Sequence, residues 1–452
     1  MMMSRSLNSC LLFNNRTNTQ SLLKKFYVST SGSSSSASFK AFPKGFKTGT
    51  SACGLKKSGN KDVCVIHSST PCQVAAVFTE NKVKAAPVVL SRQLLDSHHS
   101  KGFNSLVINS GGANACTGDQ GMANAKTMST LTSSLVKAPQ PSLVMSTGII
   151  GQQLDMTKVE KGIKEAVSNL NEADWLSAAR AIMTTDKVPK LAQANVKMSG
   201  TDVNIIGICK GAGMIHPNMA TMLCAICLDA NISEQCLKSL LKHSVQYSFN
   251  SINVDGDMST NDTVAIFANG SANNKIVDDV NSQDYIALQA AVRDVATKLA
   301  QMIVRDAEGA TKFVTINVQG ADNEANGHIV ANSIATSSLV KAAMYGGDAN
   351  WGRVLAAVGY SGVNVDPLKV SMWFAKGDGD NVGKGKKNDP ETSMQFIEKG
   401  TPLPKNEDKA AELLSHNDIS IIVDLSMGKS SYTMWTCDLT EEYVRANSHY
   451  RT

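Results

Sequence analysis

The first 61 residues contain no aspartate or glutamate; the first acid is Asp62. The same stretch carries ten lysines and arginines and the serine-rich run SGSSSSAS at 31–38. It also lacks the long apolar centre of a secretory signal. An acid-free, basic, hydroxyl-rich leader predicts an organelle transit peptide over residues 1–41, with processing between about 28 and 42. Serine richness points to the chloroplast stroma, with the mitochondrion as the alternative.

Three further shortages narrow the function classes. Long hydrophobic runs are missing: Met222–Leu228, the longest near the centre, is far too short to span a bilayer, so no membrane partner is expected. A basic folded part is missing too. The formal net charge is +5, and subtracting the +10 of residues 1–61 leaves −5 on residues 62–452. The overall basicity therefore gives no case for nucleic acid. Finally, the ten cysteines make no disulfide framework. Cys224 and Cys227 form a lone CxxC inside an apolar run, which reads as two small buried hydrophobes.

What is present is a mixed series of strand and helix patterns. At 452 residues the chain is long enough for two or three domains. Strands are expected at Asp62–Ile66, Val74–Thr79, Leu106–Asn109, Ser142–Met145, Val203–Cys209, Met222–Leu228, Thr263–Ala268, Lys312–Val318 and Val370–Phe374. Ile419–Asp424 and Tyr432–Asp438 read as a closing hairpin. Helices are expected at about Gly121–Ser134, Met156–Leu170, Ala173–Met183, Ile232–Ser248, Asp284–Glu308, Val330–Tyr345 and Gly352–Tyr360, with a short one before the C-terminus. With no strict βαβ run, this predicts a mixed α/β (α+β) fold of stacked sheets covered by helices.

Several stretches could carry chemistry. NSGGANACTGDQG at 109–121 has four glycines but neither the Walker A nor the dinucleotide spacing. STGIIG at 146–151 ends a strand in hydroxyls and an unhindered N–H, which suits an oxyanion hole or an ordinary turn. Asp255, Asp257, Ser259 and Asn261 alternate like a calcium loop, but Thr260 occupies the glycine position and Ile266 the final acidic one, so no metal site is expected. Lys190 and Lys210 are candidates for anion contact or plain surface lysines. Glu308 sits just before Gly309 at the predicted end of the long helix, where a carboxylate opposes the helix dipole and calls for a partner.

The central stretch is GICKGAGMIHPNMATMLCAICL, 207–228. A glycine-rich loop leads into an apolar strand that begins at Thr221, after the small residue Ala220. Thr221 can be an ordinary strand residue. It can also be a nucleophile freed by cleavage of the bond before it, with its new α-amine as base.

FPKGFKTGTSACGLK (42–56), VFTENKVKAAPV (77–88), NSGGANACTG (109–118), STGIIG (146–151), MTTD (183–186), KGAGMIHPNMATML (210–223), SFNSINVDGDMSTNDTV (248–264), RDAEGATK (305–312), DANWGR (348–353) and YVRANSHYRT (443–452) stand in the chain in this order. Together they resemble the ornithine acetyltransferase family, also described as bifunctional glutamate N-acetyltransferase. The likeness covers the chain from about residue 42 to its last residue, and the leader suggests the plant plastid form.

The resemblance implies an N-terminal-nucleophile-like fold and self-cleavage at Ala220–Thr221, giving an α chain of 42–220 and a β chain of 221–452. Thr221 would take the acetyl group of N-acetylornithine as an ester and pass it to glutamate; acetyl-CoA is a candidate second donor. No cofactor is implied. The chains would assemble as a heterotetramer with two of each. Thr147 and Gly148 map onto the oxyanion hole. Substrate-binding positions map onto Thr184, Lys210, Thr221, Glu308, Asn447 and Thr452. From their charges, Lys210 suits a carboxylate and Glu308 a cationic amine. A free α-amine has a pKa of about 7.7–8.0, which suits it to take a proton and return it. Gly112, where relatives have Asn, and His216 receive no role. The competing reading is an N-terminal-nucleophile aminopeptidase or amidase with water as acceptor.

Overall fold

One strand reaches most of the first sheet. In the computed structural model, which describes residues 41–216, 222–377, 387, 389–404 and 406–448, β2 (Val63–Phe78) runs for 16 residues. Its first half pairs with β1 (Phe46–Ser51) and its second half with β8 (Thr263–Ala268), both antiparallel. Its other edge pairs with β3 (Lys101–Gly112). β4 (Leu143–Ile149), β5 (Lys190–Met198), β6 (Thr201–Lys210) and β7 (Leu223–Leu228) complete the order β4-β3-β2-β8-β7-β6-β5. The sequence pattern suggests two strands in place of β2, because Pro71 and its polar neighbours interrupt the apolar run. The backbone continues through them, with register shifts on either side of Cys72.

The second sheet has the order β12-β11-β10-β13-β9-β14. Its strands are β9 (Phe313–Ala321), β10 (Ser371–Lys376), β11 (Ser393–Glu398), β12 (Thr401–Pro402), β13 (Asp418–Asp424) and β14 (Ser430–Cys437). The expected closing hairpin is not formed. β9 lies between its two arms, parallel to β13 and antiparallel to β14. The connection passes over the end of β9, where Gly320 C=O accepts the N–H groups of Met427 (2.7 Å) and Gly428 (2.8 Å). β1, β5, β11 and β12, and the helices Ala86–Ser97 and Glu407–Ser415, have no counterpart among the sequence-based expectations.

The long helix is Gln283–Arg305. Ser282 caps it by accepting the Tyr285 N–H, and Arg305 in its last turn complements the dipole. Leu288, Val292, Val295, Leu299 and Ile303 form its buried face. That face packs in one core with Ile205 and Ile226 of the first sheet and Phe313 and Trp435 of the second. Asn253 N–H donates to Trp435 C=O at 2.9 Å and ties the segment after the 3-10 turn Phe249–Ser251 to β14. Burying each such side chain is worth about 1.5–3 kcal/mol.

β3 and β4 are parallel neighbours joined through the helix Gly118–Leu135, and β7 and β8 through Glu234–Gln246. Two βαβ units therefore stand within a fold that, among the described residues, has no unbroken βαβ run. The expected helix Val330–Tyr345 is two, Glu324–Thr336 and Ser338–Tyr345, separated at Ser337. No helix among the described residues is long and apolar enough to cross a membrane.

Candidate active site

Both thiols of the CxxC are buried in β7, and burial pushes them well above their ordinary value. Redox chemistry is not their role. The polar groups gather at the ends of β4 and β6 and in the segments around them.

β6 ends at Lys210, which is 3% exposed. Its Nζ donates to Thr147 Oγ1 at 3.3 Å. Thr147 and Gly148 close β4, in parallel register with Ser110 and Gly111 of β3. Gly148 has a φ of +130°, and a Cβ there would stand 2.4 Å from the Gly111 carbonyl carbon. Only glycine fits. Asn261 pins this end of the sheet, donating to Ala113 C=O (2.6 Å) and Ser146 C=O (2.9 Å).

Asp186 ties the next segment in. It accepts the N–H groups of Thr184 (2.9 Å) and Gly211 (2.8 Å) and the Nζ of Lys190 (2.7 Å). Lys190 is neither an anion site nor a surface lysine. It is buried between Asp186 and Asp306, the latter at 2.6 Å. Burial opposes its charge, yet the two carboxylates raise its pKa. Burial likewise opposes the charge on Asp186, but Lys190, Lys210 and the Gly211 N–H hold it well below the usual carboxylate range.

The loop after β6 is fixed by Asp255, which accepts from Met214 N–H (2.6 Å), Ile215 N–H (2.9 Å) and Tyr443 Oη–H (3.1 Å). The calcium-like alternation thus serves to satisfy backbone donors. His216 Nδ1 accepts from Asn253 Nδ2 at 3.2 Å, and burial lowers its pKa.

Glu308 lies beyond the long helix, which ends at Arg305 with Asp306 as its cap. The carboxylate at the helix end is therefore Asp306, and its partner is Lys190. Glu308 is held otherwise: its N–H donates to Ala212 C=O (2.9 Å) and its Oε2 accepts from Asn447 Nδ2 (2.9 Å). Its carboxylate rests on Gly213, where a Cβ would come within 2.7 Å of Oε2.

Thr147 and Lys210 thus meet, Glu308 and Asn447 meet, and Thr184 joins them through Asp186. Ala220, Thr221 and Thr452 lie outside the described residues, as does most of the loop 376–390. Met222 is described, and its N–H donates to Asp262 Oδ1 at 3.0 Å. Burial pushes the Asp262 carboxyl well above its ordinary value, against the opposing pull of the Met222 N–H and Lys210. Burial also lowers Lys210, which Asp186, Asp262 and Glu308 counter and Lys190 reinforces. Lys56, inside a motif given no site role, is pushed down to about 8 by burial; Asp62 and Asp186 counter, and Lys210 adds to the effect.

Sequence reasoning gave no role to Asp186, Asp262, Asp306 or Lys56. The available signal was an acid among small polar residues, as in TTDK and STND, where solvation alone does not explain a charge next to buried strands. The group as a whole offers an ammonium, a hydroxyl and a carboxylate–amide pair, the complement of an amino acid's two charged ends.

Residues 47–452 match the ArgJ family. The chain is 79% identical over 411 residues to the arginine biosynthesis bifunctional protein ArgJ, mitochondrial, of Heterostelium pallidum, covering 91% of this chain and 94% of that one. It is 70% identical over 411 residues to the protein of the same description from Dictyostelium discoideum, covering 91% and 93%. The arginine biosynthesis bifunctional protein ArgJ of Thermotoga neapolitana is 45% identical, covering 91% of this chain and 99% of its own. The chain is a member of the ArgJ family.

Proposed function

We propose that this chain cuts itself at Ala220–Thr221 and then carries acetyl groups on Thr221 for arginine biosynthesis. It is an acetyltransferase of that pathway. The Thr221 hydroxyl attacks the carbonyl of N-acetylornithine, and its free α-amine takes the proton. Collapse of the tetrahedral intermediate breaks the amide bond, the α-amine returns the proton to the leaving nitrogen, and ornithine departs. Glutamate's amine then attacks the Thr221 ester, giving N-acetylglutamate and restoring the hydroxyl. Thr147 and Gly148 stabilise the oxyanion; one such donor is typically worth about 2.7–4 kcal/mol of barrier.

Lys210 receives the α-carboxylate shared by both substrates. Glu308, steadied by Asn447, receives the side-chain amine of N-acetylornithine, and Thr184 and Thr452 are further substrate-binding residues. Acetyl-CoA serves as a second donor, and the route needs no cofactor. The products of the cut, 42–220 and 221–452, pair as two copies of each.

The observation that carries this reading is the 3.3 Å approach of Lys210 to Thr147, with Glu308 of the Glu308–Asn447 pair close enough to bear on the Lys210 charge, on segments 63 to 300 residues apart in sequence. Residues 1–41 are read as a leader. The relatives from Heterostelium pallidum and Dictyostelium discoideum bear the designation mitochondrial. The mitochondrion therefore replaces the plastid destination suggested by serine content.

A denaturing gel and an acetyl-transfer assay test the reading. Wild type is expected as two chains and Thr221→Ala as one inactive chain. An uncut wild type, or an active Thr221→Ala, would sink it. Transfer to water in preference to glutamate would favour an amidase.

A further inference from the structure

Among the described residues, Lys190 is the one deeply buried ammonium at this site that the proposed reaction does not use. Its side chain is 1% exposed, and those of Asp186 and Asp306 are 0% and 3%. Each contact lies next to a residue assigned to substrate. Asp186 accepts Thr184 N–H at 2.9 Å with one oxygen. With the other it accepts Gly211 N–H at 2.8 Å, and Gly211 follows Lys210. Asp306 accepts Lys187 N–H (3.0 Å) as well as Lys190 Nζ, and stands two residues before Glu308. Among the described residues, Lys210 Nζ bonds to Thr147 Oγ1 and to no carboxylate.

We propose that Lys190 is a positioning residue for substrate recognition: it occupies Asp186 so that the Lys210 ammonium stays open to a substrate carboxylate. This rests on the reading that Lys210 meets the α-carboxylate. The physical argument is competition. Asp186 is close enough to bear on the charge of both lysines. A carboxylate in a low-dielectric setting takes the ammonium that approaches it best. Lys190 approaches to 2.7 Å and shares Asp186 with two backbone donors, so Oδ1 already accepts twice and Oδ2 once. Without Lys190, the remaining cation that bears most on Asp186 is Lys210, and a paired Lys210 is a poor site for a substrate carboxylate.

The groups facing Lys210 are Asp186, Lys190, Asp262 and Glu308, with Lys56 and the Thr147 hydroxyl beside them. Removing Lys190 takes away a like charge and frees an opposite one. Both changes favour the Lys210 ammonium, so the alkaline limb of kcat/KM should move to higher pH. Removing the Asp186 charge should move it to lower pH. A purely structural ion pair predicts neither movement.

The experiment uses the full chain with two acetyl donors, N-acetylornithine and its decarboxylated analogue N-acetylputrescine. Lys190→Met is expected to raise KM for N-acetylornithine about ten- to hundredfold, the loss typical of one charge-assisted contact. Its kcat/KM for N-acetylputrescine should stay within about threefold of wild type. Adding Asp186→Asn to Lys190→Met should restore KM. Asp186→Asn alone, which keeps the amide oxygen for Gly211 N–H, gives the downward pH shift even if Lys190→Met does not fold. The proposal is overturned if KM for N-acetylornithine is unchanged in Lys190→Met, or if Asp186→Asn leaves the alkaline limb in place. Lys210→Met separates the two levels. If it still favours N-acetylornithine over N-acetylputrescine, the carboxylate reading of Lys210 itself fails.

Discussion

Met222 donates its backbone N–H to Asp262 Oδ1 at 3.0 Å, while Asp262 Oδ2 is buried without a hydrogen-bond partner among the described residues. This bond fixes the residue that follows Thr221 and so the direction in which the chain enters β7. Asp262→Ala leaves that N–H unpaired, at a typical cost of about 1–3 kcal/mol. The expected results are slower conversion to two chains on a time-course gel and a lower Tm. Asp262→Asn keeps an acceptor and should be processed at near the wild-type rate.

The raised Asp262 pKa also sets a sign. The unfolded chain releases this proton near pH 3.9 while the folded chain still holds it. Stability contributed by the group therefore falls as pH rises from about 4 toward its folded value. Asp262→Asn should remove that slope in urea titrations run at a series of pH values.

Asp186 has the opposite sign. Its depressed folded pKa gives stability that is present above about pH 4 and is lost as pH falls toward the folded value. Lys190, raised on folding, contributes below about pH 10.4 and loses that contribution as pH climbs through its folded value. Tm should fall on both the acid and the alkaline side. Asp186→Asn should flatten the acid side, and an unchanged acid limb would contradict the assignment.

Gly148→Ala puts a side chain at φ +130° and a Cβ 2.4 Å from backbone. Strain of this kind costs about 1–3 kcal/mol before the clash is counted. Acetyl transfer should collapse with a lowered Tm, seen by calorimetry alongside the assay.

Gly213→Ala presses on the Glu308 carboxylate at 2.7 Å. KM for N-acetylornithine should rise about tenfold or more, with a smaller change in kcat. Gly359→Ala meets nothing within 4 Å and serves as the control with unchanged kinetics.

Local pattern was legible wherever neighbours in sequence settle the outcome. Thr263–Ala268 is a strand with the expected bounds, because a short β-branched and aromatic run between polar turns admits little else. The long helix starts within one residue of its expected position, set by the Ser282 cap and a period of apolar residues. The ordered motifs placed the family, since small residues and hydroxyls at fixed spacing survive being read without coordinates.

Tertiary structure decided the rest, and for one physical reason: pairing and burial depend on partners far along the chain. Ile419–Asp424 and Tyr432–Asp438 look like a hairpin until β9, about a hundred residues earlier, fills the space between them. Pro71 marks a break until the two ends of β2 are held by different neighbours. Lys190 is indistinguishable from a surface lysine in sequence. Asp186 and Asp306, 4 and 116 residues away, make its burial tolerable. The sequence by itself determined which chemistry the chain carries; only the fold decided which charges are free to meet a substrate.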